Sequence, residues 1–474
     1  MKTRSKRRKP PKSPKTVKLL LVGLALLGCS REPAPRPNIF LITIESLRTD
    51  RVGAYGMKAP TTPGLDRIAK ESTVYESAYS VTSWTLSSHA TLMTGLYPTA
   101  HQVIEPRHRL KDSYETLAER LQDAGYQTAG AISGPFLRSP HNLNQGFELW
   151  DDSPAAVTQA DAHSDITNPG LEESLVRFLR DERDGDRPFF LFAYVWDPHY
   201  DFLPPAPYDT MFVPPGAEPF DITNFEHNTA IDRGMPGSRL AYLISQYEGE
   251  IRYTDDFLSG IWDTLRELDL WEDTWIIVTA DHAEEFFEHG YKGHKNNLYT
   301  ESIHVPMIIK WPGSAPAAGR DARLTGLIDI PPTVLDYLGL LERNDAFHGR
   351  SLLAEPRGPN DPLFFELVTT FYGRDPDGKS EKRVTQWWAT QMGDYKLISV
   401  PALGEDALFE IRQDPGEFRR IDADQPVTLE RYLALLPPWQ EAMKEVAREH
   451  GEPEMADLSN VDRERLKALG YIGN

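Results

Sequence analysis

Acids and histidines stand directly behind three apolar runs of this sequence, where they are able to hold a metal beside an ester. The run NIFLITI ends in Glu45-Ser46, FFLFAYVW in Asp197-Pro198-His199, and WIIVTA in Asp281-His282, with Glu284, Glu285, His289 and His294 close behind. Glu45, Asp281 and a neutral His282 form an oxygen, oxygen and nitrogen donor set for one divalent cation, with a nearby hydroxyl as fourth ligand. Mn, Mg, Ca and Zn all accept such a set. The cation lowers the pKa of a bound hydroxyl and polarises a phosphoryl or sulfuryl oxygen. No convincing Asp/His/His set for a second metal is present, so one metal is expected. Hydroxyls crowd into TSWTLSSHATLMTG, residues 82–95, where seven residues are Ser or Thr. With 85–94 read as a helix stopped by Gly95, Thr85 lies in its first turn, where amides and dipole favour an anion. His89 shares that face at i+4 and is expected to bind substrate. The plainer alternative makes Thr85 a helix cap only.

In open α/β sheets ligands lie beyond the carboxyl ends of the strands, so the elements before these residues matter. NIFLITI (38–44), PFFLFAYV (188–195), TWIIVTA (274–280) and VPMIIKW (305–311) are near-continuous apolar runs, the pattern of strands buried on both faces. TTPGLDRIAKES (61–72) predicts a helix with a capping Thr and Pro63 near its start. YETLAERLQDAG predicts a helix stopped near Gly125, and Leu240 to Leu268 a long amphipathic one. Near residue 360 the texture changes to short strands with turns at Gly393-Asp394 and Asp414-Pro415-Gly416, then a helix around 427–449. The expected architecture is α/β: a central, mostly parallel sheet flanked by helices (38–358), with a small C-terminal α+β subdomain of antiparallel strands and helix (359–474). No G-x-S-x-G elbow occurs, which argues against a serine-hydrolase triad.

The N-terminus has a different texture. Residues 1–18 carry nine Lys or Arg and no acid, and LLLVGLALLG (19–28) then leads to Cys29, the only cysteine. A basic segment before a short apolar one is an export signal, too short for an ordinary membrane span. Leu26-Leu27-Gly28-Cys29 resembles the lipobox of bacterial lipoproteins, which implies a signal over 1–29, lipidation of Cys29 and a Pro-rich tether over 30–37. The expected location is therefore the bacterial cell envelope, exported and lipid-anchored. With Cys29 so used, disulfides and thiolate metal sites are excluded. The formal charge of −20 excludes a nucleic-acid partner.

Five blocks carry a family resemblance: PNIFLITIESLRTDRVGAYG, TLSSHATLMTGLYP, FAYVWDPH, VTADHAEEFFEHGYKGHKNNLYTESIHVPMIIKWPG and LIDIPPTVLDYLGL. In that order they resemble the successive blocks of the sulfatase branch of the alkaline phosphatase superfamily. The closing LKALGY is similar to the tails of bacterial sulfatase-like proteins. The resemblance implies metal ligation by Glu45, Ser46, Asp281 and His282, with Thr85 at the place of the nucleophile. It implies substrate binding by His199 and His294. The departures are informative. Sulfatases read Cys or Ser followed by x-Pro-Ser-Arg, and convert the first residue to formylglycine; here Thr85 stands with neither Pro nor Arg. Threonine resembles instead the phosphotransfer members, such as lipoteichoic acid synthase and phosphoethanolamine transferases. The expected activity is that of a metal-dependent hydrolase or transferase acting on phosphate esters through Thr85. Its substrate is an anionic ester, an envelope glycan or lipid headgroup. The alternatives are sulfate ester hydrolysis without formylglycine, and a non-catalytic envelope lipoprotein.

Overall fold

Three buried runs stand side by side at the centre of the sheet, as their composition requires. The computed structural model describes residues 36–155, 166–313, 316–374 and 380–468; the signal, Cys29 and most of the tether lie outside them. The central sheet is built from β1 (Asn38–Ile44), β2 (Thr73–Tyr79), β3 (Gln127–Ile132), β4 (Leu149–Asp151), β5 (Phe189–Val195), β6 (Thr274–Ala280), β7 (Met307–Lys310) and β8 (Gly319–Gly326). Its order is β8-β2-β7-β6-β1-β5-β3-β4. Only β7 runs antiparallel to its neighbours; every other pair is parallel. β1 lies between β5 and β6 with Ile44 opposite both Val195 and Ala280, so Glu45, Trp196 and Asp281 emerge together at one sheet edge. Phe40, Leu41, Ile42, Phe190, Phe192, Ile276 and Ile277 are wholly buried, each such side chain stabilising the fold by about 1.5–3 kcal/mol.

Helices cover both faces. α1 (Pro63–Ala69) has Pro at its start as predicted, but Thr62 makes no side-chain cap. The cap comes instead from Asp255 on α3 (Gly237–Glu267), whose carboxylate accepts from Gly64 N at 2.6 Å and Leu65 N at 2.8 Å. A distant acid outcompetes the local hydroxyl because burial makes the orphan amides of a helix start expensive. A Cβ on Gly64 would collide with Ser259 and Asp255, which is why this close approach needs glycine. Between them in chain order comes α2 (Thr85–Thr94), ended by Gly95 at φ 67°, where a side chain would also strike Phe347.

The C-terminal strands β9 (Leu363–Arg374), β10 (Ser380–Met392), β11 (Tyr395–Val400) and β12 (Glu405–Glu410) form a second, wholly antiparallel sheet in sequential order. The single helix expected around 427–449 is two, Pro426–Leu433 and Leu436–His450. Pro437 and Pro438 cannot supply the amides a continuous helix needs there, and they open the second helix instead. Lys396 on β11 and Glu417 pair at 2.6 Å with both side chains fully buried. Lys396 also donates to Leu298 O at 2.8 Å, and Glu417 accepts from Thr300 N at 2.9 Å. The second sheet is thereby bolted to the segment that follows β6. Elsewhere Arg357 makes a two-pronged contact, 2.6 Å on each arm, with the wholly buried Asp329. Arg357→Ala strands that carboxylate, and a loss of about 3–5 kcal/mol is expected in urea unfolding; a change below 1 kcal/mol would show the pair to be dispensable.

Candidate active site

Glu45 follows β1 and is fully buried. Ser46 takes φ 52°, a left-handed turn that costs a non-glycine residue about 1–2 kcal/mol. The turn aims its amide at Asp281 Oδ1 at 3.3 Å, and Tyr247 OH holds its carbonyl at 2.7 Å. The Ser46 hydroxyl donates to Glu45 Oε1 at 2.9 Å and lies 3.4 Å from His294 Nδ1. Ser46, expected as a metal ligand, stands inside the cluster with its proton directed to Glu45 and its oxygen beside His294. Tyr194, one strand away on β5, donates to Glu45 Oε2.

Opposite stands the pair after β6. His282 Nε2 is 3.1 Å from Glu45 Oε1 and 3.5 Å from Asp281 Oδ2. Thr85, the first residue of α2, places Oγ1 3.1 Å from His282 Nε2 and 3.3 and 3.4 Å from the two Glu45 oxygens. Ser88, one turn on, donates to the Asp281 carbonyl at 2.6 Å. His294 completes the cluster: its Nδ1 is 3.3 Å from Glu284 Oε2 and its ring centroid 4.3 Å from that of His282. Glu45, Thr85, Asp281, His282 and His294 thus converge, as the sequence suggested. His199 joins through rings, stacked on Trp196 at 3.8 Å and 5.4 Å from His294.

His89 departs from the expectation of a substrate contact. Its Nδ1–H donates to Thr85 O at 2.8 Å and its Nε2 lies 2.8 Å from Thr43 Oγ1, both inside the protein. Facing the interior along α2, it braces the turn that carries Thr85. Burial lowers its pKa to about 4, which keeps it neutral for that role. His89→Ala is expected to lower kcat about tenfold or more with little change in KM, because it loosens a positioning contact. A KM effect alone would instead restore it to substrate binding. His289 pairs with Glu301 and stacks on Tyr299 at 3.7 Å; it braces the loop.

The electrostatics of the cluster call for a cation. Burial penalises every charge here. His282 is nevertheless held up at about 10, because the Asp281 and Glu45 carboxylates outweigh its desolvation. Burial and then the Glu45 charge push Asp281 well above the carboxylate range, and burial does the same to Glu284. Asp281 Oδ2 and Glu284 Oε1 are buried and accept no hydrogen bond among the described residues. One atom each from Glu45, His282 and His294 lies within 4.8 Å of the others. Orphaned carboxylate oxygens beside converging O and N donors are what a divalent ion satisfies, so the residues fit a metal. His294 belongs with the donors, which the sequence reading had not placed there.

Two participants escaped the sequence: Tyr194, and Lys295, whose Nζ sits 3.9 Å over the Trp84 ring beside Thr85. Tyr194 reads as core within a buried strand. Lys295 adjoins a recognised residue, and proximity was the only signal available.

An α/β sheet with this cluster at the carboxyl edge of its central strands defines an ester hydrolase of the sulfatase type. The chain belongs to the Sulfatase family, whose model matches residues 37–340. A second model, N-sulphoglucosamine sulphohydrolase, C-terminal, matches 287–433. N-acetylglucosamine-6-O-sulfatase of Bacteroides thetaiotaomicron is 23% identical over 86% of this chain and 87% of its own. Among solved structures, the phosphonate monoester hydrolase of Agrobacterium radiobacter aligns with TM-score 0.65 and 23% identity over 88% of this chain and 96% of its own. A protein solved with its substrate D-glucosamine-2-N,6-O-disulfate aligns with TM-score 0.68 and 19% identity, over 88% of this chain and all of the other.

Proposed function

We propose that this chain cleaves phosphate esters in the bacterial envelope with Thr85 as nucleophile. The observation that carries the reading is the seat of Thr85 Oγ1, at the first turn of α2, 3.1 Å from His282 and within 3.4 Å of Glu45. Glu45, Asp281 and His282, with His294 beside them, are the residues that would hold one divalent ion, of Mn, Mg, Ca or Zn. When bound, the ion supplies charge to acidify a hydroxyl and to stabilise a crowded anionic transition state.

The chain's own groups do the rest. Thr85 gives up its proton along its hydrogen bond to Glu45 and its oxygen attacks phosphorus in line. The amides of the α2 first turn take the anionic oxygens. As the ester P–O bond breaks, the leaving oxygen receives a proton from His199. Water or a second alcohol then attacks the phospho-threonine and restores the hydroxyl, which makes the enzyme a hydrolase or a transferase. Buried walls, with Trp84 and Tyr194 fully shielded, exclude bulk water from the attack.

Sulfate ester cleavage is the second reading, favoured by the relative named as a sulfatase. Threonine does not become formylglycine by the Cys or Ser route, so it would proceed by the same direct attack. The deciding experiment measures turnover of an aryl sulfate, a phosphate monoester and a phosphodiester by protein lacking residues 1–29, with each metal in turn. Phosphoester turnover supports the first reading, sulfate turnover alone the second. A lipid anchor at Cys29 belongs to the same proposal. Labelled fatty acid should enter the wild-type chain in a bacterial host and fail to enter Cys29→Ala; equal labelling removes the anchor.

A further inference from the structure

Every group the proposed reaction needs is shut away from solvent. Glu45, Thr85, Asp281 and His282 expose nothing, and His199 and His294 almost nothing. An ester cannot meet Thr85 in this arrangement, so one wall of the cluster has to move. The ends of β1, β5 and β6 sit in backbone ladders and Thr85 opens a helix, so moving them means unfolding the core. The side of His199 and His294 is built differently. Tyr200, itself buried, sets its ring 4.1 Å from that of His199 and 5.1 Å from that of His294. Phe225 stacks on Tyr200 at 4.9 Å and also lines a groove of about 620 Å³ between residues 225–233 and 287–296.

This wall is loop rather than core. Residues 196–236, between β5 and α3, contain no strand and one short helix, Tyr208–Met211. Of residues 224–231 only Phe225 and Ile231 are buried, the sparse apolar anchoring of a segment that opens locally. Three side chains hold that turn in place. Asp201 accepts from the amides of Asn224 and Phe225, and the Tyr200 hydroxyl donates to Glu226 Oε1 at 2.7 Å. Both lie within the loop itself. Lys292 reaches the turn from the opposite wall of the groove, two residues before His294, and donates to the carbonyls of Phe225, Asn228 and Ile231 at 2.7, 3.1 and 2.8 Å. An ammonium has three N–H bonds, so Lys292 spends all of them on this turn.

We infer that Tyr200 and the turn at 224–231 form the gate through which an ester reaches Thr85, with Lys292 as its latch. With Lys292 released, Phe225 parts from Tyr200, and the Tyr200 ring swings toward the groove and uncovers His199 and His294. The inference rests on Thr85 as the attacking group, so its test reads access and needs no turnover. The intact protein, with zinc present, is treated with diethyl pyrocarbonate, and carbethoxylation of each histidine is followed by peptide mass spectrometry. His199 reports the gate and exposed His227 gives the rate of an open ring, while His101 and His141, buried elsewhere, report general loosening. Wild-type His199 should react at least about a hundredfold more slowly than His227. Lys292→Met should raise the His199 rate at least about tenfold, a factor that one hydrogen bond from a charged donor already supplies. Tyr200→Phe keeps the ring and loses the bond to Glu226; it should raise the rate about fivefold, less because Glu226 is exposed to water. His101 and His141 should keep their wild-type rates in both variants. A wild-type His199 as fast as His227 overturns the proposal. So does a His199 rate that neither variant changes, or one that in both rises no more than those of His101 and His141. Gated labelling without ester turnover would sink the catalytic reading and leave the gate standing. Turnover with His199 indifferent to both variants would do the reverse.

Discussion

Thr85→Ala should abolish ester cleavage, with kcat falling at least about 10³-fold, as when other nucleophiles are removed. Its fold should hold. The hydroxyl makes only three contacts of 3.1 to 3.4 Å, so its removal is worth about 1 kcal/mol or less in unfolding. Thr85→Ser keeps the oxygen and loses only a methyl group, and should retain activity within about a hundredfold of wild type, the looser rotamer being the cost. Steady-state kinetics with a chromogenic phosphate ester, beside circular dichroism of each variant, reads all three. An active Thr85→Ala would reduce Thr85 to a contact that orients Glu45 and His282 and leave another group, such as a directly positioned water, to attack.

The second large effect concerns Asp281. Its Oδ1 accepts from the amides of Ser46 and His282, while Oδ2 accepts no hydrogen bond among the described residues. Asp281→Asn preserves the shape and removes the charge the cluster needs for a cation. Wild type stripped with a chelator should regain activity and bind about one equivalent of metal by plasma emission analysis, whereas Asp281→Asn should bind none and stay inactive. A ligand at a hundred times its Kd stabilises the folded state by about 2.7 kcal/mol. The wild-type melting temperature should therefore rise on metal addition and that of Asp281→Asn should not move. Full activity in chelator would contradict the metal assignment outright.

The legible part of this molecule was what buried hydrophobicity dictates. NIFLITI, FFLFAYV and TWIIVTA have no polar face, so they had to be central strands, and the parallel arrangement then carries Glu45 and Asp281-His282 to one edge. Thr85 was legible because Gly95 fixes the far end of a ten-residue helix. Two of the misses share a cause, a partner distant in sequence. Asp255 caps a helix 190 or so residues upstream. Thr43, on the neighbouring strand, captures the ring of His89. The inward turn of His294 against Ser46 and Glu284 follows from loop geometry rather than from spacing. Periodicity reports which face a residue occupies and is silent on what meets it there.

The Lys396–Glu417 bolt sets an order of events. Thr300 and Leu298 are fastened by residues made about a hundred positions later, and the same Glu417 contributes its carbonyl to His289 Nε2 at 3.1 Å. During synthesis the parallel sheet can form while the stretch carrying His289 and His294 still lacks its anchors. The last strand of the central sheet ends at Gly326, so the segment around Leu298 and Thr300 is a part beside the site whose fastening waits on residues far downstream of that sheet.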